Sequence, residues 1–444
     1  MLNFTDTSSL IGESRLFQKF SQCIRSFSDA LASDKILGMG RVLLCALLFS
    51  CIFIPRFPVG SITPFYQVDI RVEDLLSFLI GILLIFSMTR PAALQREFPR
   101  PEKAFLWFLF AAEVSILNGI LFRTIDKPLL SLLYLLKWAE YFLVFMAVVR
   151  FAASPEDSQF FLKIFFLLGI AVAAYGYFEH FFPVAQAVYP NYYRLFERPP
   201  FHGDANHIGG FLVLWLGFFT GLFLKTEKPK RRLFLFSSLI FVLFPFIWTY
   251  SRKSYFALAG ALAFAFLFQG SRKKLIFLIC SFTILALFLP TRFSERLLDL
   301  GEAFTSTDPF HSSWAGNWVM WKQSLWNFDK FFLFGSGLGS RHRLFYESQY
   351  ILVLTETGIF GALAFLMMGV ALVREMLQTT PHLYPLPSGE RTEVRGVTWG
   401  WLIGFVGLLI HNASCVTWTV SKAAIPFWFL TAAALTCLRP GEAK

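Results

Sequence analysis

Long apolar stretches recur along the whole chain, and they constrain its fold more than any other feature. Each is about as long as a helix that crosses the hydrocarbon core of a bilayer. Of the 444 residues, 56% are hydrophobic and only 16% are charged, whereas soluble domains carry about 25% charged residues. The sequence therefore predicts an all-α polytopic membrane protein with about 12 transmembrane helices. The predicted spans are 37–55, 73–89, 104–122, 128–149, 159–182, 207–224, 233–250, 254–270, 275–290, 350–373, 397–413 and 418–437.

Basic residues between the spans predict the orientation of the chain. Clusters of Arg and Lys follow the second, sixth and eighth spans, at 90–103, 225–232 and 272–274. Because cytoplasmic loops of membrane proteins are enriched in Lys and Arg, a single orientation satisfies all three clusters, with both termini cytoplasmic. The net charge of +11 is then explained by topology and by anionic lipid head groups. We expect no nucleic-acid partner.

The two longest segments outside the predicted spans are residues 1–36 and 291–349. Residues 1–36 carry apolar side chains at helical spacing between Phe17 and Leu31, which predicts a cytoplasmic amphipathic segment on the membrane surface. Residues 37–444 are predicted to form a single membrane domain. Its one long loop, 291–349, is predicted to be periplasmic and to contain short helices.

Several cations lie on the predicted outer side, where topology does not call for positive charge. Arg252 and Lys253 directly follow Ser251 at the end of a span. Guanidinium groups match the geometry of phosphate oxygens, so outer cations that converge would bind a phosphate or pyrophosphate. The alternative is that Arg252 and Lys253 extend to the outer head groups. The other outer cations are Arg194, Arg198, Arg341 and Arg343.

Glu347 ends the long loop just before a predicted span, a few residues after His342. A carboxylate there is partly desolvated and close to cations, which suits a general base that must reach an acceptor hydroxyl. The candidate catalytic residues are therefore Glu347, Arg252 and His342. The alternative for Glu347 is a solvated loop carboxylate or an ion pair with Arg343.

No metal or cofactor is expected. His202, Asp204 and His207 have potential ligand atoms, but their spacing matches no zinc signature. The six cysteines show no metal-binding or redox spacing, and we interpret them as packing or incidental residues. Lys137 and Glu140, within the fourth predicted span, are expected to pair with each other between helices.

Tryptophans at helical spacing in 314–326 predict an amphipathic helix on the outer leaflet. Anchoring at the membrane interface is the common role of such tryptophans. Stacking on sugar rings is the alternative, and it makes Trp321 a candidate substrate-binding residue. The sequence does not separate these two roles.

Four short motifs occur in a particular order, and the predicted topology places all of them on the outer side. Each is weak alone, and their order makes the combination specific. They are Asn206 with Gly209, Ser251 with Arg252, Trp321 followed by Gly335 and Gly337, and segment 350–361 with Glu356, Gly358 and Gly361. In this order the chain resembles the O-antigen ligase and polymerase superfamily, bacterial envelope enzymes that act on polyprenyl-pyrophosphate-linked glycans.

Two positions depart from the pattern of that family. Glu347 and Ser348 stand where family ligases usually carry a His-Asn pair, and the His is thought to be catalytic. Asn317 stands where many members carry Arg. These departures fit a polymerase-like member, or a relative whose activity is not characterised, better than a lipid A–core ligase.

The resemblance implies an all-helical, metal-independent and inverting membrane glycosyltransferase without a cofactor. It would move a glycan from an undecaprenyl-pyrophosphate carrier to an acceptor hydroxyl, on a growing polysaccharide or on lipid A core. The reaction would occur on the periplasmic side of the bacterial inner membrane. The implied partners are the lipid bilayer, the glycan donor and the glycan or lipid A-core acceptor.

The resemblance also implies roles for individual residues. Arg252, with Arg198 or Arg341, would hold the pyrophosphate, and Glu347 would take the acceptor proton. The candidate substrate-binding residues are Arg198, Arg341, Arg343, Asn206, Lys253 and Trp321. The alternative from another class is a multi-spanning transporter or flippase of lipid-linked glycans. Transporters usually place functional charges at mid-membrane in broken helices, whereas these charges lie near one surface.

Overall fold

The computed structural model describes most of the membrane domain. The described residues are 33–55, 57–63, 66–88, 100–152, 154–182, 194–197, 205–268, 313–326, 328–340, 347–379 and 388–438, with short helical pieces between 273 and 283. Most of the predicted amphipathic segment 1–36 lies outside these residues, as do most of 275–290 and the first part of the long loop.

The described elements are almost all helices. They are α1 (Ser33–Phe53), α2 (Val72–Met88), α3 (Arg100–Leu121), α4 (Pro128–Phe151), α5 (Pro155–Phe181), α6 (Ala205–Lys225), α7 (Pro229–Trp248), α8 (Arg252–Phe268), α9 (Ser313–Trp326), α10 (Gln349–Thr379), α11 (Ser388–Asn412) and α12 (Ser421–Leu438). Short 3₁₀ turns occur at Phe328–Phe331 and Thr417–Thr419.

One antiparallel hairpin lies between α1 and α2, and the sequence interpretation did not predict it. Strand β1 (Phe57–Thr63) pairs with β2 (Tyr66–Ile70), with Phe57 opposite Ile70 and Thr63 opposite Tyr66. Both strands contain β-branched and aromatic residues, which favour strands. The runs are too short to give a clear alternating pattern in a chain this apolar, so the all-α prediction omitted them.

Helix length and composition confirm a polytopic α-helical membrane protein. Among the described residues, nine helices are long and apolar enough to cross a bilayer: α1, α3 to α7, and α10 to α12. Helices α2 and α8 have 17 residues each, at the lower end of spanning length. A described helix lies at every predicted span except 275–290, which is mostly outside the described residues.

Helices α6 and α11 cross at very close range near the centre of the bundle. A Cβ atom added to Gly221 would lie 2.3 Å from Gly400 Cα, and one added to Gly217 would lie 2.7 Å from Gly404 Cα. Each helix thus contributes two glycines with three residues between them. This arrangement lets helix backbones in a membrane approach closely. The crossing fixes α6, which is 89% buried, against α11.

Helix α10 is broken near its start, and the glycine-rich part of the long loop fills the break. Gly358 has φ +66° and ψ −169°, outside helical values. The Ser336 and Gly337 amides donate to the carbonyls of Thr355 and Glu356, both at 2.9 Å. The Ile359 amide donates back to a loop carbonyl at 2.9 Å. Backbone groups freed by a broken helix must be satisfied inside a membrane, and here the loop satisfies them.

Hydrogen bonds join the start of α10, the end of α11 and the turn before α12 to neighbouring helices. The Tyr350 hydroxyl donates to the Leu409 carbonyl at 2.6 Å, which joins the start of α10 to the last turns of α11. The Tyr141 hydroxyl donates to the Thr419 carbonyl at 3.0 Å, which joins α4 to the turn before α12. We call this the polar end of the bundle. It contains Asn206, residues 251–254, Glu347 and His411, which further contacts join to one another.

The predicted ion pair within the fourth span is confirmed. Lys137 Nζ lies 2.5 Å from Glu140 Oε2 and 2.6 Å from Asp74 Oδ1 of α2. The Ser77 hydroxyl donates to Glu140 Oε1 at 2.7 Å. The pair therefore joins α4 to α2, which is how charges are accommodated between membrane helices.

Candidate functional site

The site is organised around the first turn of α8. Ser251 caps this helix, because its hydroxyl accepts from the Ser254 amide at 3.4 Å. Arg252 and Lys253 lie between these two serines and form the first turn. Tyr250, immediately before the cap, has φ +48°. A non-glycine residue in this left-handed region is strained, and such strain is concentrated at functional sites.

A chain of hydrogen bonds connects this turn to α6, to α11 and to the segment before α6. The Ser251 hydroxyl donates to Asn206 Oδ1 at 2.9 Å, and Arg194 Nη2 donates to the same oxygen at 3.0 Å. The Ser254 and Ser251 hydroxyls are 2.9 Å apart. His411 Nε2 lies 3.1 Å from Ser254 Oγ, and His411 Nδ1 lies 2.6 Å from Thr417 Oγ1. We call this set the polar chain: Arg194, Asn206, Ser251, Ser254, His411 and Thr417.

The direction of each bond in the polar chain follows from Arg194. A guanidinium only donates, so the atom it contacts on Asn206 must be the amide oxygen. Ser251 must then donate to that oxygen, and Ser254 must donate to Ser251. Because Ser254 has no second proton, His411 Nε2 carries the proton of their bond. In the neutral ring, Nδ1 then accepts from the Thr417 hydroxyl.

Two adjacent glycines of α6 make room for the polar chain. A Cβ atom on Gly209 would lie 2.2 Å from Ser254 Oγ, and one on Gly210 would lie 3.0 Å from a Thr417 methyl and 3.1 Å from the His411 ring. Ser254, His411 and Thr417 are completely buried. The two serines that flank Arg252 and Lys253 are therefore held rigidly. This fixes the backbone position of the two cationic residues.

Lys253 and Glu347 form an ion pair that joins α8 to the residue shortly before α10. Both side chains are largely buried, at 10% and 29% exposure. The sequence interpretation offered Arg343 as the pairing alternative for Glu347, and the described partner is Lys253. The contact places the candidate base beside the two candidate cations.

The amino-terminal ends of three helices meet at this point. Asn206 is the second residue of α6, Arg252 begins α8, and Gln349 begins α10 two residues after Glu347. Amino-terminal helix ends carry partial positive charge and bind anions. Arg252 and Lys253 add two full positive charges where the helix dipole disfavours them. The geometry therefore suits an anionic ligand.

Cys415 is a buried free cysteine close to this cluster. Its side chain is hydrogen bonded to His207, and Lys253 and Glu347 are close enough to affect its ionisation. Burial raises the pKa of the Cys415 thiol, but His207 and Lys253 outweigh this effect and leave the pKa below its ordinary value.

Arg194 has a structural role at the edge of the site. Besides Asn206, it donates to the Thr249 carbonyl at 3.0 Å and pairs with Glu197 at 2.8 Å. Burial raises the pKa of the Glu197 carboxyl, although the Arg194 charge acts in the opposite direction. These contacts tie the segment before α6 to the end of α7.

The structure brings together part of the predicted site. Asn206, Arg252, Lys253 and Glu347 lie together. Trp321 lies on α9, as the predicted amphipathic helix requires, and no described contact joins it to the polar chain. The candidates outside the described residues are Arg198, Arg341, His342 and Arg343, together with His202 and Asp204 of the rejected metal site.

Sequence reasoning missed four members of the cluster: Ser254, His411, Thr417 and Cys415. The predicted topology puts the connection between the last two spans, from His411 to Trp418, on the outer side, and the sequence interpretation assigns its residues no role. A buried histidine followed by Asn412 at the end of an apolar span was the available signal, since polar residues in such spans are usually functional.

Together the fold and the site define a polytopic α-helical membrane protein with a cationic site at one end of its bundle. Residues 237–366 match the family model described as O-antigen ligase. The match runs from α7 into α10 and includes Arg252, Lys253 and Glu347. It confirms the resemblance to the O-antigen ligase and polymerase superfamily. Among curated proteins, none matched the chain.

Proposed function

We propose that this protein is a glycosyltransferase of the bacterial inner membrane, with about 12 spans, both termini cytoplasmic and the polar end periplasmic. It moves a glycan from an undecaprenyl-pyrophosphate carrier to an acceptor hydroxyl, on a growing polysaccharide or on lipid A core. The reaction is metal-independent and inverts the configuration at the transferred sugar. The carrier lipid cannot leave the bilayer, which accounts for a membrane-embedded enzyme.

One observation carries this proposal: Arg252 and Lys253 stand at the positive end of α8, with the amino-terminal ends of α6 and α10 beside them. Such a site favours a ligand with concentrated negative charge. Pyrophosphate is the leaving group of the proposed donor. Its negative charge grows as the bond to the sugar breaks, so fixed cations stabilise the transition state more than the ground state.

The proposed chemistry is a single displacement. The acceptor oxygen forms a bond to the anomeric carbon while the bond from that carbon to the pyrophosphate oxygen breaks. Glu347 takes the acceptor proton, and undecaprenyl pyrophosphate leaves with the bonding electrons. Attack opposite to the leaving group inverts the anomeric centre. Lys253 holds Glu347 through their ion pair, and Arg252 faces the leaving group.

The remaining candidates would complete the site. Asn206 is held with its amide oxygen on Arg194 and Ser251, so its two amide hydrogens are available for a substrate oxygen. Arg198 or Arg341 would supply a further cation for the pyrophosphate. Trp321 would align glycans by stacking. The other proposed contributors are His342 and Arg343.

The envelope glycans of a deletion strain test this proposal. The strain is complemented with wild type, with Arg252→Ala and with Glu347→Gln, and the glycans are separated on a gel. Lys330→Ala and Glu227→Gln serve as controls, because both side chains are exposed and no described contact joins either to the site. We expect the controls to restore the wild-type profile and the two site variants to fail at normal protein level.

The pattern in the deletion strain separates the two acceptors. Long glycans that are made but no longer joined to lipid A core indicate a ligase. Loss of long chains with single-repeat products remaining indicates a polymerase. A normal profile in the Arg252→Ala or Glu347→Gln strain would refute the proposed mechanism.

A further inference from the structure

Two buried carboxamides stand at the polar end, and the proposed chemistry uses neither. Gln349 is the first residue of α10 and Asn412 is the last residue of α11. Both side chains are fully buried, at 0% exposure. Within the described part of the chain, none of their four side-chain nitrogen and oxygen atoms has a hydrogen-bond partner. Buried polar groups in folded proteins are nearly always paired, so we expect a bound ligand to form the missing hydrogen bonds.

The contacts of α8 place both amides beside the site. Lys253 contacts Glu347, two residues before Gln349. The next residue, Ser254, contacts His411, the neighbour of Asn412. Consecutive residues of α8 thus hold the two chain segments that carry the amides. The bond between Tyr350 and the Leu409 carbonyl brings the same two segments together independently.

The chemistry of the amides differs from that of the cations beside them. Arg252 and Lys253 suit the anionic pyrophosphate, whereas a carboxamide is uncharged and both donates and accepts hydrogen bonds. Sugar hydroxyl and acetamido groups have the same dual character. A site that moves a glycan must hold the sugar as well as its leaving group.

We propose that Gln349 and Asn412 form the sugar subsite of this protein, binding hydroxyl or acetamido groups of the sugar unit next to the reacting bond. The inference rests on the proposed glycan transfer and names its sugar-recognition groups. Both amides are buried without a hydrogen-bond partner among the described residues, and the sugar supplies that partner.

This proposal predicts opposite effects on stability and activity. Gln349→Met and Asn412→Leu replace each amide by an apolar side chain of similar size. Removing an unpaired buried amide relieves its desolvation penalty, so both purified full-length variants should melt at or above the wild-type temperature. Asn118→Leu is the matched control, because the Asn118 amide is paired with the Gly335 carbonyl at 2.7 Å. This control should melt at a lower temperature.

Activity is measured in membrane vesicles with added polyprenyl-pyrophosphate-linked glycan. The donor concentration for half-maximal transfer should rise about tenfold in each amide variant, equivalent to about 1.4 kcal/mol. Glu347→Gln should instead lower the maximal rate at every donor concentration. This contrast separates loss of sugar binding from a disturbance of the neighbouring base.

Two outcomes would overturn the subsite. One is unchanged donor dependence in both amide variants, which would mean that ordered water alone fills the space. The other is a lower melting temperature in both, which would mean that the amides are structural. If Arg252→Ala also transfers glycan normally, the proposed function itself fails. If Arg252→Ala is inactive while the amide variants behave as wild type, only the subsite fails.

Discussion

The crossing of α6 and α11 gives a prediction whose size follows from the structure. In Gly221→Ala, the new Cβ atom would lie 2.3 Å from the Gly400 Cα and amide nitrogen, whereas ordinary contact begins at about 3.4 Å. Both obstructing atoms are backbone, so no side chain can move aside. The two helices must separate by about 1 Å, and overpacking of this kind costs about 1–3 kcal/mol.

Gly38→Ala is the matched control for this substitution. Gly38 lies within α1, and no described residue has an atom within 4 Å of its added Cβ atom. Alanine is favoured over glycine inside a helix by about 1 kcal/mol. That gain is common to both variants, so the difference between them isolates the steric cost at the crossing. We expect Gly38→Ala to be more stable than wild type and Gly221→Ala to be less stable.

Thermal unfolding of the purified protein in detergent, followed by size-exclusion chromatography with fluorescence detection, measures the order of stability. We expect the melting temperature to be highest for Gly38→Ala, lower for wild type and lowest for Gly221→Ala. If Gly221→Ala melts with or above Gly38→Ala, the close backbone contact between α6 and α11 does not exist.

Three further predictions concern the site and the helix break. A double-mutant cycle on Lys253→Ala and Glu347→Ala should give a coupling energy in thermal unfolding of about 0.5–3 kcal/mol, in the lower half because Glu347 is 29% exposed; zero coupling would contradict the ion pair. In a protein whose only cysteine is Cys415, methanethiosulfonate labelling should have a pH midpoint below the ordinary thiol value of 9.0, because His207 and Lys253 lower this pKa. The midpoint should rise in His207→Leu, and an unchanged midpoint would exclude the His207 contact. Gly358→Ala places a side chain at φ +66° and 2.4 Å from the Leu333 carbonyl oxygen, so it should lower stability by about 1–3 kcal/mol; a melting temperature equal to wild type would contradict the break.

The length and hydrophobicity of the apolar runs were sufficient to predict the membrane helices. A chain this apolar can satisfy its backbone in lipid only through regular structure, so each long apolar run predicts a helix within a few residues. The β1–β2 hairpin was missed because short strands leave little periodic signal. The Lys137–Glu140 pair was predictable because their spacing puts both side chains on one face of a helix.

The candidate site could be predicted only in part. Arg252, Lys253 and Glu347 were recognisable because charges are unusual at the ends of spans. Their pairing was not, since Lys253 and Glu347 lie far apart in the sequence. His411 and Ser254 were missed for the same reason. The histidine at the end of an apolar span was a signal, but its serine partner lies 157 residues away in the sequence.

The amino-acid sequence was enough to predict that the protein is embedded in a lipid bilayer, where its helices lie, and which polar and charged side chains stand at the helix ends. Those properties are local, since they depend on the composition of about 20 consecutive residues. Only the packing of the helices shows which helix ends meet, that the cations of α8 lie beside Glu347, and that two buried carboxamides have no partner among the described residues. Such contacts depend on how α6, α8, α10 and α11 pack together, and that packing depends on glycines whose effect appears only when two backbones touch.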